Sequence, residues 1–160
     1  MSDPAGEKAT LRKALLAELR AMTPEERASR SKAICERIAA SGTWRKAERV
    51  LLFSPMRTEP DIAPLHGTAL ESGKQVDVIP RTARVEEELA LAFVPDFVLV
   101  PGLAFSSDGH RLGRGGGFYD RLLTGRAKHA MTMGVCFEFQ LRELIPHEQH
   151  DALVKFIISG

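Results

Sequence analysis

The sequence predicts an α/β protein: a single three-layer αβα domain, with a mostly parallel or mixed sheet and helices on both faces. Three observations lead there. Short continuous apolar runs, such as residues 50–53 (VLLF) and 97–100 (FVLV), have the character of strands buried on both faces. Other stretches repeat apolar residues every three or four positions, the period of a helix lying on a core. The two kinds alternate along the chain, and 160 residues suit one domain.

Taken in order, residues 1–6 are polar and read as a disordered tip, with the domain spanning 7–160. Leu11, Leu15 and Leu19 recur every fourth residue from Glu7 onward and mark a first helix. A second helix runs to about Ala40. Thr23 is its N-cap, Pro24 its first residue and Glu26 the third position of a capping box. Ile34 and Ile38 face inward, and Gly42 suits the helix end. The strand at 50–53 follows, then a helix over 62–71 stopped by Ser72 and Gly73, then a strand over 75–79. Residues 89–94 read as a further strand, 97–100 as another, and 119–123 as a helix after the glycine loop. Strands at 131–137 and 153–158 complete the pattern. Ligands in such sheets bind beyond the strand C-termini, where the glycine loop after residues 97–100 falls.

Composition removes several function classes. The formal net charge is +1, so no general nucleic-acid or membrane footprint covers the surface, and any anion site must be local. The N-terminal stretch has no apolar core of a signal peptide, and no apolar run approaches 18 residues. Cys35 and Cys136 are far apart and form no CxxC pair, which reads as two buried thiols in a reducing compartment. Trp44 reads as packing at a helix end.

The densest chemical signal is RLGRGGGFYDRLL, residues 111–123. Three consecutive glycines leave backbone N–H groups free to turn around an anion. A following helix adds its N-terminal N–H groups, and Arg111 and Arg114 can make charge-assisted bonds to phosphate oxygens. No Gly-Lys-Ser/Thr follows, so the loop is not a Walker A motif, and it fits the dinucleotide fingerprint badly. From the residues alone, a phosphate cradle and a turn that needs left-handed glycines are both open readings. An RGG-type RNA segment is a third, opposed by the single repeat and the absence of basic surroundings. Residues 147–151, HEQHD, place two histidines three apart, a spacing that invites zinc without a third ligand to fix it.

Residues 98–123, VLVPGLAFSSDGHRLGRGGGFYDRLL, closely resemble the signature of the 5-formyltetrahydrofolate cyclo-ligases, or methenyltetrahydrofolate synthetases. KATLR at 8–12, TPEER at 23–27, PMRTEPDI at 55–62 and LIPHEQHDALV at 144–154 are similar to other segments of that family. The resemblance implies an enzyme that uses ATP and magnesium to close 5-formyltetrahydrofolate into 5,10-methenyltetrahydrofolate. The formyl oxygen would attack the γ-phosphorus, and N10 would then attack the activated carbon as phosphate leaves.

By motif match, Lys8 and Arg12, one helical turn apart, would reach the ATP phosphates. Arg111, Leu112, Gly113, Arg114, Gly115, Gly116, Gly117, Phe118 and Tyr119 would line the nucleotide. Arg114 through Phe118 would also touch the folate side, together with Ser54 and Glu59 at the pterin. Lys8 and Arg114 would act in catalysis, and Asp120 and Asp151 would hold magnesium, a hard ion suited to carboxylate oxygen. The resemblance also implies small-molecule partners (ATP and a reduced folate), no nucleic acid, no membrane, a monomer and a cytoplasmic location. Taken the other way, it fits a divergent relative that binds nucleotide without the cyclo-ligase activity.

The chain departs from the family pattern at several points. Residues 82–96 are fewer than the family has there, which removes part of a wall expected to enclose the folate. Ser106 and Ser107 replace an acid and a basic or polar residue, Gly116 replaces a frequent basic residue, and Lys155 stands where an acid is common near the expected magnesium site.

Overall fold

A computed structural model describes residues 3–81 and 91–160. Its main sheet has five strands: β1 (Arg49–Phe53), β2 (Gln75–Ile79), β3 (Phe97–Val100), β6 (Met131–Cys136) and β7 (Phe156–Ser159). They lie in the order β2-β1-β3-β6-β7, and every neighbouring pair is parallel. β4 (Ala104–Phe105) and β5 (Arg111–Leu112) form a separate antiparallel hairpin.

Parallel strands need crossovers, and the helices supply them. From β1 the chain passes through α4 (Pro64–Glu71) to β2, on one side of β1. From β3 it passes through α5 (Phe118–Thr124) to β6, in the opposite direction. Right-handed crossovers running in opposite directions put the two helices on opposite faces of the sheet. α2 (Pro24–Ala40) packs on α4 and β7. All four residues of β3 and the last four of β1 are buried, as a covered parallel sheet requires. The expected fold class is therefore the observed one.

Local chemistry explains the element boundaries. Asp3 accepts a hydrogen bond from the Gly6 N–H, so α1 (Pro4–Ala21) starts three residues earlier than the expected disordered tip allows. Thr23 Oγ1 accepts from the Glu26 N–H at 3.1 Å and starts α2. Gly42 does not end α2. Ser41 closes α2 and at once caps α3 (Gly42–Lys46), whose Trp44 packs edge-on against Phe97 at 5.5 Å. Pro64, with its fixed φ, opens α4 two residues later than expected.

The expected strand over 89–94 is not found. Residues 89 and 90 lie outside the described residues, and residues 91–94 are irregular. The last strand starts at Phe156 rather than residue 153, because the Val154 N–H bonds the Gly109 carbonyl of the hairpin turn instead of a sheet neighbour. The glycine loop does not follow β3 directly, since the β4–β5 hairpin intervenes. That hairpin is seated by Phe105, whose ring lies where a Cβ at Gly134 of β6 would be.

Candidate active site

β1 and β3 are neighbours, yet the chain leaves them in opposite directions. A sheet of this order opens a crevice beyond the C-terminal ends of those two strands. A cavity of about 450 Å³ occupies that place. Phe53, Ser54, Pro101 and Gly102 line it from the strand ends, and α1, the glycine loop and residues 148–151 close around it. Every site residue expected from the sequence lines this one cavity: Lys8, Arg12, Ser54, Glu59, residues 111–119, Asp120 and Asp151.

The glycine loop is built from backbone that other residues rarely adopt. Gly115 has φ +107° and Gly117 has φ +74°, so these two glycines are needed for conformation. Gly116 has no such φ, and space is open where its Cβ would be. α5 starts at Phe118, directly after the loop, with Gly117 as its N-cap.

Lys8 and Arg12 both project from α1 toward the cavity, not into a solvated face. Lys8 Nζ lies 2.6 Å from Asp151 Oδ2 and 3.4 Å from Glu148 Oε1, and both Lys8 and Asp151 are nearly buried. Arg12 Nε donates to the Gly113 carbonyl at 2.8 Å, tying α1 to the glycine loop. Arg111 is buried against Tyr119, with its guanidinium carbon 5.3 Å from the ring centre. Its Nη1 donates to the Pro101 carbonyl at 3.1 Å, and its Nη2 lies 3.7 Å from Asp120 Oδ1. Nε of Arg111 is buried with no hydrogen-bond partner, so this cation is under-satisfied. Burial pushes the Arg111 pKa down, opposed by Asp120, Tyr119 and Asp151. Burial also drives the Tyr119 phenol well above its ordinary range.

Glu59 and Arg114 form the other part of the wall. Glu59 Oε1 accepts from the Met56 N–H at 2.7 Å, and Oε2 lies 4.0 Å from Arg114 Nε. Arg114 Nη2 donates to Thr58 Oγ1 at 2.8 Å. Burial raises the Glu59 pKa, only partly offset by the Met56 amide and by Arg114, Arg27 and Arg81.

Asp120 is tied to the residue that follows Asp151. Asp120 Oδ1 accepts from the Ala152 N–H at 3.1 Å, while its Oδ2 takes no hydrogen bond from a described residue. These hard oxygen donors suit magnesium, which needs only one or two carboxylates beside phosphate oxygens and water. The zinc reading of residues 147–151 is not supported: no group of three or more His, Cys, Asp or Glu side chains is placed to hold a metal among the described residues. Instead the His147 ring stacks on His110 at 3.7 Å, and Glu148 and His150 line the cavity. Lys155 does not approach the expected magnesium site. Its Nζ donates to the Ala130 carbonyl at 2.9 Å, just before the N-terminal end of β6, and it lines a separate hollow. Cys35, partly buried, and Cys136, buried, are free thiols; burial, joined at Cys35 by Asp61 and Glu36, pushes them up to about 11 and about 12, which favours the protonated thiol.

Sequence reading missed Arg81, Glu148 and His150 as cavity residues: Arg81 is a single charge after a strand, and in residues 147–151 only Asp151 was singled out as a ligand.

The model of the 5-formyltetrahydrofolate cyclo-ligase family matches residues 4–95 and 78–160. The chain belongs to the 5-formyltetrahydrofolate cyclo-ligase family. The two matched pieces overlap at 78–95, the region where the chain is shorter than the family pattern. The 5-formyltetrahydrofolate cyclo-ligase of Mus musculus is 26% identical over 184 aligned positions, covering 92% of this chain and 91% of the mouse protein. That of Mycolicibacterium smegmatis is 30% identical over 182 positions, covering 95% and 93%. Both alignments are longer than the 160-residue chain, so gaps fall opposite it. The solved 5,10-methenyltetrahydrofolate synthetase of Aquifex aeolicus superposes with a TM-score of 0.77 at 26% identity, covering 95% of this chain and 89% of the other. Family membership and fold thus agree, with the same signature residues around one cavity.

Proposed function

We propose that this cyclo-ligase family member closes 5-formyltetrahydrofolate to 5,10-methenyltetrahydrofolate with ATP as co-substrate and magnesium as the metal, as a soluble enzyme of one-carbon metabolism in the cytoplasm. The observation that carries the reading is convergence: residues more than 140 positions apart, from Lys8 to Asp151, meet at one cavity at the β1/β3 switch point. No helix among the described residues is long and apolar enough to cross a membrane.

The residues divide the work. Lys8, Arg12 and the 113–117 backbone offer positive charge and N–H groups to a triphosphate. Arg114 stands between that cradle and Glu59, where it can meet charge developing on the transferred phosphoryl group. Asp120 and Asp151 would hold magnesium, which when bound supplies neutralisation of the phosphate charge. Glu59 accepts N–H groups of the pterin, with Ser54 beside it. The formyl oxygen attacks the γ-phosphorus as ADP departs. N10 attacks the formyl carbon and gives up its proton to water, and phosphate leaves with the former formyl oxygen. The chain orients these atoms and excludes water.

The deciding assay mixes folded protein with 5-formyltetrahydrofolate, ATP and magnesium and follows absorbance of the methenyl product. ATP-dependent product is expected. No product, from protein whose melting temperature still rises with magnesium and ATP, would reject the activity and leave a nucleotide-binding relative that lacks the folate half.

A further inference from the structure

α2 carries a polar stripe that the core does not need. Arg27, Ser31 and Cys35 are spaced four apart and so share one helix face. All three bond the segment between β1 and α4. Arg27 Nε donates to the Glu59 carbonyl at 2.8 Å, and its Nη2 donates to the Met56 carbonyl at 3.1 Å. Buried Ser31 accepts from the Asp61 N–H at 2.8 Å, and Cys35 Sγ donates to the Asp61 carbonyl at 3.4 Å. The same segment is closed on itself by the Glu59 N–H to the Met56 carbonyl at 3.0 Å and by the Met56 N–H to Glu59 Oε1 at 2.7 Å.

A carboxylate prefers water, and a free loop would let Glu59 turn outward. Here Glu59 is nearly buried at the cavity. Its turn is gripped from behind by a guanidinium that itself does not line the cavity. The grip extends further, because Thr58 in the same turn accepts from Arg114.

We propose that Arg27 is a positioning residue: by clamping the Met56 and Glu59 carbonyls, it aims Glu59, and through Thr58 also Arg114, into the cavity. Ser31 and Cys35 extend the clamp to Asp61. The link to turnover rests on the function proposed above; the link to loop geometry does not.

Arg27→Met and Arg27→Lys are compared with the wild type by amide hydrogen exchange and by steady-state kinetics. In Arg27→Met the Met56 and Glu59 amides should exchange at least about tenfold faster, while amides of α1 and the core strands stay as they were. The KM for 5-formyltetrahydrofolate should rise about tenfold, with the KM for ATP moving less than twofold. Arg27→Lys keeps the charge and a donor head but not the planar fork that reaches both carbonyls, and should recover part of both effects. Unchanged Met56 exchange in Arg27→Met overturns the proposal. So do faster exchange throughout the chain and equal rises in both KM values, which mark general loosening. If wild-type protein gives no turnover, the proposed activity fails while the exchange data still decide the clamp. Should Arg27→Met not fold, Ser31→Ala replaces it, with faster exchange confined to Asp61 and its turn as the expected result and no local change as the overturning one.

Discussion

Asp151 and Glu59 face the same cavity, yet their carboxyl groups are displaced in opposite directions. Burial pushes both up. At Asp151 the Lys8 ammonium at 2.6 Å and the Glu148 N–H outweigh burial, and the pKa falls below the ordinary carboxylate value. At Glu59 the closest cation that faces its carboxylate, Arg114, is 4.0 Å away, and burial wins. One part of the wall is ion-paired and built on an i, i+4 pair of α1. The other is hydrogen-bonded, carried on a loop, and leaves its acid uncomfortable. The difference suits the two halves of the proposed substrate pair: exchangeable charge for a polyanion, and a buried acceptor for a ring N–H.

Removing Arg114, which joins the two parts, breaks the comparison most severely. Arg114→Ala should lower kcat/KM by about 100-fold or more. Its side chain is half-exposed, so the melting temperature should move little. Kinetics beside a thermal melt checks both; near-normal turnover would remove Arg114 from the chemistry.

Next comes the ion pair. Lys8→Met leaves the nearly buried Asp151 carboxylate without its closest cation and should cost about 3 kcal/mol of stability. Adding Asp151→Asn should restore much of that loss. Denaturant melts of the two single mutants and the double mutant measure the coupling, and strict additivity would deny that the pair is bound as described.

The opposed pKa shifts predict opposed pH effects. Asp151, lowered, contributes stability that is full above the ordinary carboxylate range and is lost as pH falls through its folded value. Glu59, raised, contributes stability that is full below 4.5 and is lost as pH rises through its higher folded value. Glu59→Gln should therefore melt above the wild type at neutral pH, with the gap closing toward pH 4. Melting curves across that range test the sign. A gap that widens on acidification contradicts it.

The smallest effect separates two adjacent glycines. Gly117→Ala forces a side chain into φ +74° and should cost about 1 kcal/mol, whereas Gly116→Ala enters open space and should be nearly neutral. Equal costs would mean that the loop's conformation differs from that described.

Much of this protein was legible in the sequence. Continuous apolar runs located β1 and β3 to within a residue, because strands buried on both faces leave no room for polar residues. The glycine loop with its arginines marked part of the cavity wall and the proposed anion cradle, since left-handed backbone demands glycine. The β4–β5 hairpin escaped because two-residue strands carry no period, and the start of β7 because a hairpin carbonyl captured the Val154 amide. What only the tertiary structure decided is how distant charges meet. Lys8 finds Asp151 across 143 positions, and Arg27 finds Glu59 across 32. A local pattern can report which face of a helix is apolar. It cannot report which polar residue on that helix the sheet order will bring against a given loop, because that is set by how the strands stack and on which face each crossover returns.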